Sequence, residues 1–277
     1  MKYLFIPALI LAALFGLASC ANQAFYYPDH IDYGSPAQSG LPYQNVYFHS
    51  ADGTRLHGWF VPAQGVASPK QAATIVHFHG NAQNLSAHWQ AVKWLPAQGY
   101  NVFLFDYRGY GQSAGNPSRQ GLFEDSNAAL NYIRTRPDVD AERLLVFGQS
   151  LGGTNAIAAV GAGNNAGVRA IVIESTFSSY AAIAHDKLPG AGLLLSNTHS
   201  ASRHIAALSP IPLLLVHGTA DQVIPARHSQ TLFDLAQPPK QLVLIPRGTH
   251  LGLQGLGGYK QTLLEFFARH SRSSPPK

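Results

Sequence analysis

From residue 72 onward the chain alternates between short apolar runs and longer stretches with helical periodicity, a rhythm that few folds accommodate. The runs are Thr74–Phe78, Val102–Phe105, Leu144–Phe147, Ala170–Ile173, Leu213–Val216 and Gln241–Ile245. They are apolar throughout rather than alternating, as strands covered on both faces must be. Helices are predicted between and after them, over Leu85–Ala97, Gln120–Arg134, Gly153–Ala162, Arg227–Leu235 and Tyr259–Ala268. Strand–helix alternation of this kind predicts an α/β fold with a doubly wound, mostly parallel sheet. Ahead of it, Val46–His49 and Leu56–Val61 flank Asp52-Gly53 and read as an antiparallel hairpin with a loop longer than two residues.

Two segments depart from the rhythm. Ser178–Ser209 is too long for an ordinary strand-to-helix connection, and its Pro189-Gly190-Ala191-Gly192 followed by Leu193–Leu195 predicts a small helical lid. An extended crossover is the simpler alternative. Residues 21–44, rich in Tyr, Pro, Gly and Ser, form either a linker or a segment lying over the domain; Phe25, Tyr26 and Tyr27 favour contact. The folded domain is therefore assigned to residues 45–277.

The first twenty residues read as a targeting signal. Lys2 precedes an apolar run from Tyr3 to Ala18, and Leu17-Ala18-Ser19-Cys20 resembles the bacterial lipobox, in which the cysteine is acylated and becomes the new N-terminus. Cys20 is the single cysteine of the chain, so it has no internal disulfide partner. This predicts residues 1–19 as a lipoprotein signal peptide and a protein tethered to a membrane of the bacterial cell envelope, facing the periplasm or exterior. An uncleaved anchor and ordinary secretion are the alternatives. Several acyl chains on one cysteine make attachment stable. The net charge of +5, from 19 Lys and Arg against 14 Asp and Glu, includes no run of like charges and gives no support to nucleic-acid binding.

Gly148-Gln149-Ser150-Leu151-Gly152 follows the run Leu144–Phe147 and opens a helical stretch. A serine lifted on a sharp strand-to-helix turn has a strained backbone and needs neighbours almost free of side chain, which Gly148 and Gly152 supply. Ser150 is therefore the candidate nucleophile. A neutral hydroxyl needs a general base, and the base needs a partner to fix its tautomer. With the order serine, acid, histidine, the base is His250, which lies in a loop just beyond the last strand. Asp221, after the strand Leu213–Val216, is the candidate acid; Glu174, at the end of the preceding strand, is its rival, while Asp186 and Asp234 are assigned to the lid and to a solvated helix face. The loop His77-Phe78-His79-Gly80-Asn81 is placed to supply one backbone N–H of an oxyanion hole, with that of Leu151 as the second. His79 and Asp106 are read as loop-shaping residues.

Together these residues resemble the α/β-hydrolase superfamily from about Val46 to the C-terminus. His-Gly-Asn-Ala (79–82), Asp-Tyr-Arg-Gly-Tyr-Gly (106–111), Glu-Ser-Thr-Phe (174–177) and His-Gly-Thr-Ala-Asp (217–221) resemble its Bem46-like branch. The resemblance implies an eight-stranded sheet, places the first oxyanion donor at Asn81, and implies hydrolysis of an ester, acyl-lipid or thioester without metal or organic cofactor. A peptidase of the same fold and a non-catalytic binding scaffold are the competing expectations. The substrate itself does not follow from the resemblance.

Overall fold

The computed structural model describes residues 25–271, and Cys20 lies outside the described residues. One eight-stranded sheet forms the centre. Its strands are β1 (Gln44–His49), β2 (Arg55–Val61), β3 (Thr74–Phe78), β4 (Asn101–Asp106), β5 (Leu144–Gln149), β6 (Val168–Glu174), β7 (Leu213–Gly218) and β8 (Lys240–Ile245). Their order is β1-β2-β4-β3-β5-β6-β7-β8, so β3 sits between β4 and β5. β1 pairs antiparallel with β2, and β2 antiparallel with β4; all other pairs are parallel. This is the doubly wound, mostly parallel sheet of the α/β-hydrolase fold.

The helices are α1 (Leu85–Val92), α2 (Arg119–Thr135), α3 (Leu151–Gly161), α4 (Tyr180–Lys187), α5 (Ala201–His204), α6 (Arg227–Leu235) and α7 (Tyr259–His270). α1 and α7 cover one face of the sheet, where Trp89, Leu263 and Phe267 pack on Ile75, Leu145 and Phe147. α2, α3 and α6 cover the other, where Ile133, Ile157 and Leu232 meet Val76, Val146 and Ile171. Adjacent strand residues thus serve opposite cores, which is why the central runs carry no polar alternation. β8 departs from that expectation: as the outermost strand it is only half covered, and Gln241 and Leu244 are exposed. The first helix also stops short of Ala97, at Val92. Pro96 opens a separate 3-10 turn there, and its ring lacks the N–H that a continuing helix requires.

The stretch between β6 and β7 contains α4, a 3-10 turn (Ala191–Leu194), α5 and a second 3-10 turn (Ile205–Leu208). Residues 25–43 lie on the domain, with Tyr26 and Leu41 buried. Tyr27–Pro28 pair in parallel with Ala82–Gln83, just after β3. Arg108 explains part of the Asp-Tyr-Arg-Gly stretch: it donates to the buried Asp125 of α2 and to Asp52 of the hairpin loop, both at 2.8 Å. That buried pairing fixes the loop after β4 against α2.

Candidate active site

Ser150 sits between β5 and α3 with φ +52° and ψ −121°, a conformation that a residue with a side chain occupies only under constraint. The constraint comes from β6. Ser150 N donates to Glu174 O at 2.8 Å, Ser175 N donates to Val216 O at 2.9 Å, and the Thr176 hydroxyl donates to Ser150 O. Space comes from the flanking glycines. A Cβ on Gly152 would lie 2.0 Å from Phe78 O, and one on Gly148 would lie 2.7 Å from the Gly153 backbone. The G-x-S-x-G spacing is therefore a packing requirement of this turn.

His250 and Asp221 come from the loops after β8 and β7, which are stitched together. Thr219 N donates to Ile245 O at 3.0 Å, Ala220 N to Gly248 O at 2.9 Å, and Arg247 N to the Thr219 hydroxyl at 3.0 Å. Close approach again needs glycine, since a Cβ on Gly218 would meet Gly248 O at 2.2 Å. The result is a continuous line of polar contacts. His250 Nε2 lies 3.1 Å from Ser150 Oγ, and His250 Nδ1 donates to Asp221 Oδ2 at 2.7 Å. The structure thus brings together the serine, the histidine and the aspartate singled out in the sequence.

Asp221 has a second set of partners that the sequence did not reveal. Its Oδ1 accepts the backbone N–H groups of Val223 and Ile224 at 2.8 and 2.9 Å, and His217 Nε2 lies 3.2 Å from Oδ2. Burial alone would raise the pKa of this carboxyl. The hydrogen bonds from His217, His250 and the Ile224 N–H outweigh it and hold the group well below the usual carboxylate range.

Glu174, the rival acid, is committed elsewhere. Gln149 Nε2 donates to its Oε1 at 2.8 Å, and the Tyr259 hydroxyl donates to Oε2. Burial raises its pKa against those two donors. Gln149 in turn accepts from His77 Nε2 at 2.8 Å, so a buried polar chain His77–Gln149–Glu174–Tyr259 runs beneath the serine turn. Burial pushes the His77 imidazole down to about 3. This network carries no local sequence pattern.

Leu151 follows the serine directly, and the loop that carries Asn81 lies beside it. Gly80 is close enough that a Cβ on it would lie 3.7 Å from the Ser150 Cβ. The Asn81 side chain is fully engaged: Nδ2 donates to Phe25 O at 2.7 Å, while Oδ1 accepts from Tyr27 N at 3.3 Å and from the Tyr110 hydroxyl at 3.0 Å. Among the described residues no backbone carbonyl takes the N–H of Asn81 or of Leu151. His79 is buried, stacked against His88 and packed on Tyr107, a loop-shaping position. Asp106 caps α1 through Leu85 N at 2.7 Å, rather than bracing its own turn.

Comparisons with known proteins agree with this architecture. A family model described as "Serine aminopeptidase, S33" matches residues 69–203. YfhR of Escherichia coli (strain K12) is 48% identical over 250 residues, covering 90% of this chain and 87% of YfhR. The α/β-hydrolase domain-containing protein WAV2 of Arabidopsis thaliana is 34% identical over 258 residues, covering 86% of this chain and 82% of WAV2. Among solved structures, the Pyrococcus furiosus esterase Pf2001 shares the fold with a TM-score of 0.72 at 21% identity, over 90% of this chain and 98% of that one. The chain belongs to the α/β-hydrolase family, in the Bem46-like branch that includes WAV2 and the Schizosaccharomyces pombe protein bem46.

Proposed function

We propose that the chain is a serine hydrolase that cleaves a carboxylic ester, an acyl-lipid ester or a thioester. The observation that carries this reading is the contact line Ser150 Oγ–His250–Asp221. His250 Nε2 takes the hydroxyl proton as Ser150 Oγ attacks the acyl carbon. The carbonyl oxygen becomes an oxyanion, held by the backbone N–H groups of Asn81 and Leu151. Collapse breaks the bond to the leaving alkoxide or thiolate, which takes the proton from His250 and leaves an acyl-serine. Water then gives a proton to His250, attacks the same carbon and releases the acid, with the proton returning to Ser150. Asp221 accepts from His250 Nδ1 throughout, fixing the tautomer and balancing the imidazolium.

The aminopeptidase description of the matching family model favours a second reading, cleavage of short peptides. An aminopeptidase needs a carboxylate free to bind the substrate's ammonium group. Glu174, the carboxyl that the serine turn leans on, has both oxygens committed to Gln149 and Tyr259. The ester reading needs no such group and is preferred. Tethering through Cys20 at the cell envelope belongs to the same proposal. It is supported by the lipobox-like Leu17-Ala18-Ser19-Cys20, and Cys20→Ser is expected to abolish incorporation of labelled fatty acid.

A fluorophosphonate probe tests the catalytic reading. Wild type is expected to label and Ser150→Ala to remain blank, with His250→Ala labelling slower by roughly 10²-fold or more. A wild-type protein that stays unlabelled beside a reactive serine hydrolase sinks the reading. Chromogenic esters of graded acyl length, run beside aminoacyl anilides, then separate esterase from peptidase.

A further inference from the structure

Large aliphatic side chains gather, exposed, at the end of the sheet where Ser150 lies. Leu251, next to His250, is 88% exposed, and Val223, two residues beyond Asp221, is 48% exposed. Lys187 Nζ donates to Val223 O at 2.7 Å, which sets the end of α4 beside the Asp221 loop. Leu188 follows at 65% exposure, and Leu193, in the turn closed by Leu193 N to Gly190 O at 3.1 Å, is 92% exposed. Single exposed aliphatics are ordinary; several around one site mark a contact surface. Lys187, Arg227 and Arg247 stand exposed among them. Asp186 is held by Arg227 and His228, and Asp221 by His217, His250 and two backbone N–H groups, which leaves Lys187 and Arg247 as the exposed cations among these aliphatics.

We propose that this rim docks on an anionic lipid bilayer, and that the ester reaching Ser150 is an acyl lipid resident in that bilayer. The second clause rests on the hydrolase reading above, and the first on the tethering proposed with it but not on the hydrolysis. What selects a bilayer is where the outlying chain enters. Phe25, the first described residue, is fixed at this same end: its carbonyl accepts from Asn81 Nδ2, and its ring packs on Phe177 and Tyr180, with centroids 6.0 and 5.2 Å apart. The 24 residues before it include the apolar run Tyr3–Ala18 and Cys20. From Cys20 to Phe25 is five residues, which reach at most ~17 Å when fully extended. A membrane that holds Cys20 by acyl chains therefore lies within that distance of Phe25, and one that holds the apolar run, which ends seven residues before Phe25, lies within ~25 Å of it, and so beside the rim. Cationic residues at the rim suit the negative surface of such a membrane, and the aliphatics suit its acyl region.

The experiment uses the full chain on vesicles of phosphatidylethanolamine and phosphatidylglycerol whose acyl chains are brominated. Leu193→Trp adds a fluorophore at the rim, and Glu142→Trp adds one at the opposite, β5-entry end of the sheet. Quenching of the added emission in Leu193→Trp but not in Glu142→Trp is expected. The double variant Leu188→Asp/Leu193→Asp is expected to hydrolyse a vesicle-embedded ester roughly tenfold more slowly or worse, with hydrolysis of a soluble short-chain ester unchanged. An unquenched Leu193→Trp, or equal vesicle activity in the double variant, overturns the docking. So does a dimer in sedimentation that Leu193→Asp dissolves, which assigns the rim to a second copy. Quenching without cleavage of either ester by wild type leaves the docking standing and removes the hydrolase reading instead.

Discussion

His217 Nε2 lies 3.2 Å from Asp221 Oδ2, the same oxygen that accepts from His250 Nδ1 at 2.7 Å. His217 Nε2 is also 2.8 Å from Ile224 O, and its Nδ1 is 2.6 Å from the Ser229 hydroxyl. A carbonyl only accepts, so Nε2 carries a proton, while Nδ1 shares a hydrogen bond with the Ser229 hydroxyl. One imidazole thus bonds the Asp221 loop to α6 and directs an N–H at the carboxylate. Two backbone N–H groups hold the other oxygen. Asp221 is oriented from every side before a substrate arrives.

This separates the two candidate acids by experiment. Asp221→Asn places an amide where His250 Nδ1–H needs an acceptor, and kcat for a soluble ester is expected to fall by about 10³–10⁴-fold. Glu174→Gln keeps an acceptor for Tyr259 and loses no contact with His250, so its kcat should stay within about tenfold of wild type. The check is steady-state kinetics on both variants, with circular dichroism to confirm folding. Comparable losses in the two would move the acid's role to Glu174.

The buried polar chain predicts a pH dependence of stability. His77 is neutral in the folded protein, with its pKa pushed by burial from 6.5 down to about 3. In the unfolded chain the same imidazole takes a proton near 6.5. Between those two values the unfolded state binds more proton. The stabilisation is therefore complete above about 6.5 and is lost as pH falls toward 3, at up to ~1.4 kcal/mol per pH unit from this group. Urea unfolding at a series of pH values measures it. His77→Gln can still donate to Gln149 but does not titrate, so its slope over this window should be shallower by that amount. An unaltered slope would show that His77 is not the group responsible.

Much of the site was legible because each of its parts is local. Ser150 is announced by glycines two residues away on either side, and His250 and Asp221 by their places after β8 and β7. Strand–helix alternation likewise marks the central strands, since each run carries its own burial pattern. What was not legible is carried by partners distant in sequence. His77 meets Gln149 across 72 positions, and Tyr259 meets Glu174 across 85. His217 stood in the sequence only as the first residue of the His-Gly-Thr-Ala-Asp stretch, because its role is set by Ile224, Ser229 and Asp221 together. β8 read as a covered strand because its run is largely apolar; only its edge position leaves Leu244 in solvent.

The last expected outcome concerns Asn81, whose side chain joins the entering segment to the loop after β3. It donates to Phe25 O at 2.7 Å and accepts from Tyr27 N and the Tyr110 hydroxyl. Below it, Asn84 donates to Asp29 Oδ1 at 2.6 Å and to Ile31 O at 2.8 Å, a second fastening. Asn81→Ala deletes the first set while leaving the backbone N–H proposed for the oxyanion. Loss of these bonds weakens docking of the segment by about 1–3 kcal/mol. Limited proteolysis should then cut between Phe25 and Tyr33 several-fold faster than in wild type, with the global unfolding midpoint nearly unchanged. If the oxyanion donor is the backbone group, kcat on a soluble ester falls far less than the ~10²-fold or more expected when an oxyanion donor is removed. A loss of that size with no change in proteolysis would assign the donor to the Asn81 side chain instead.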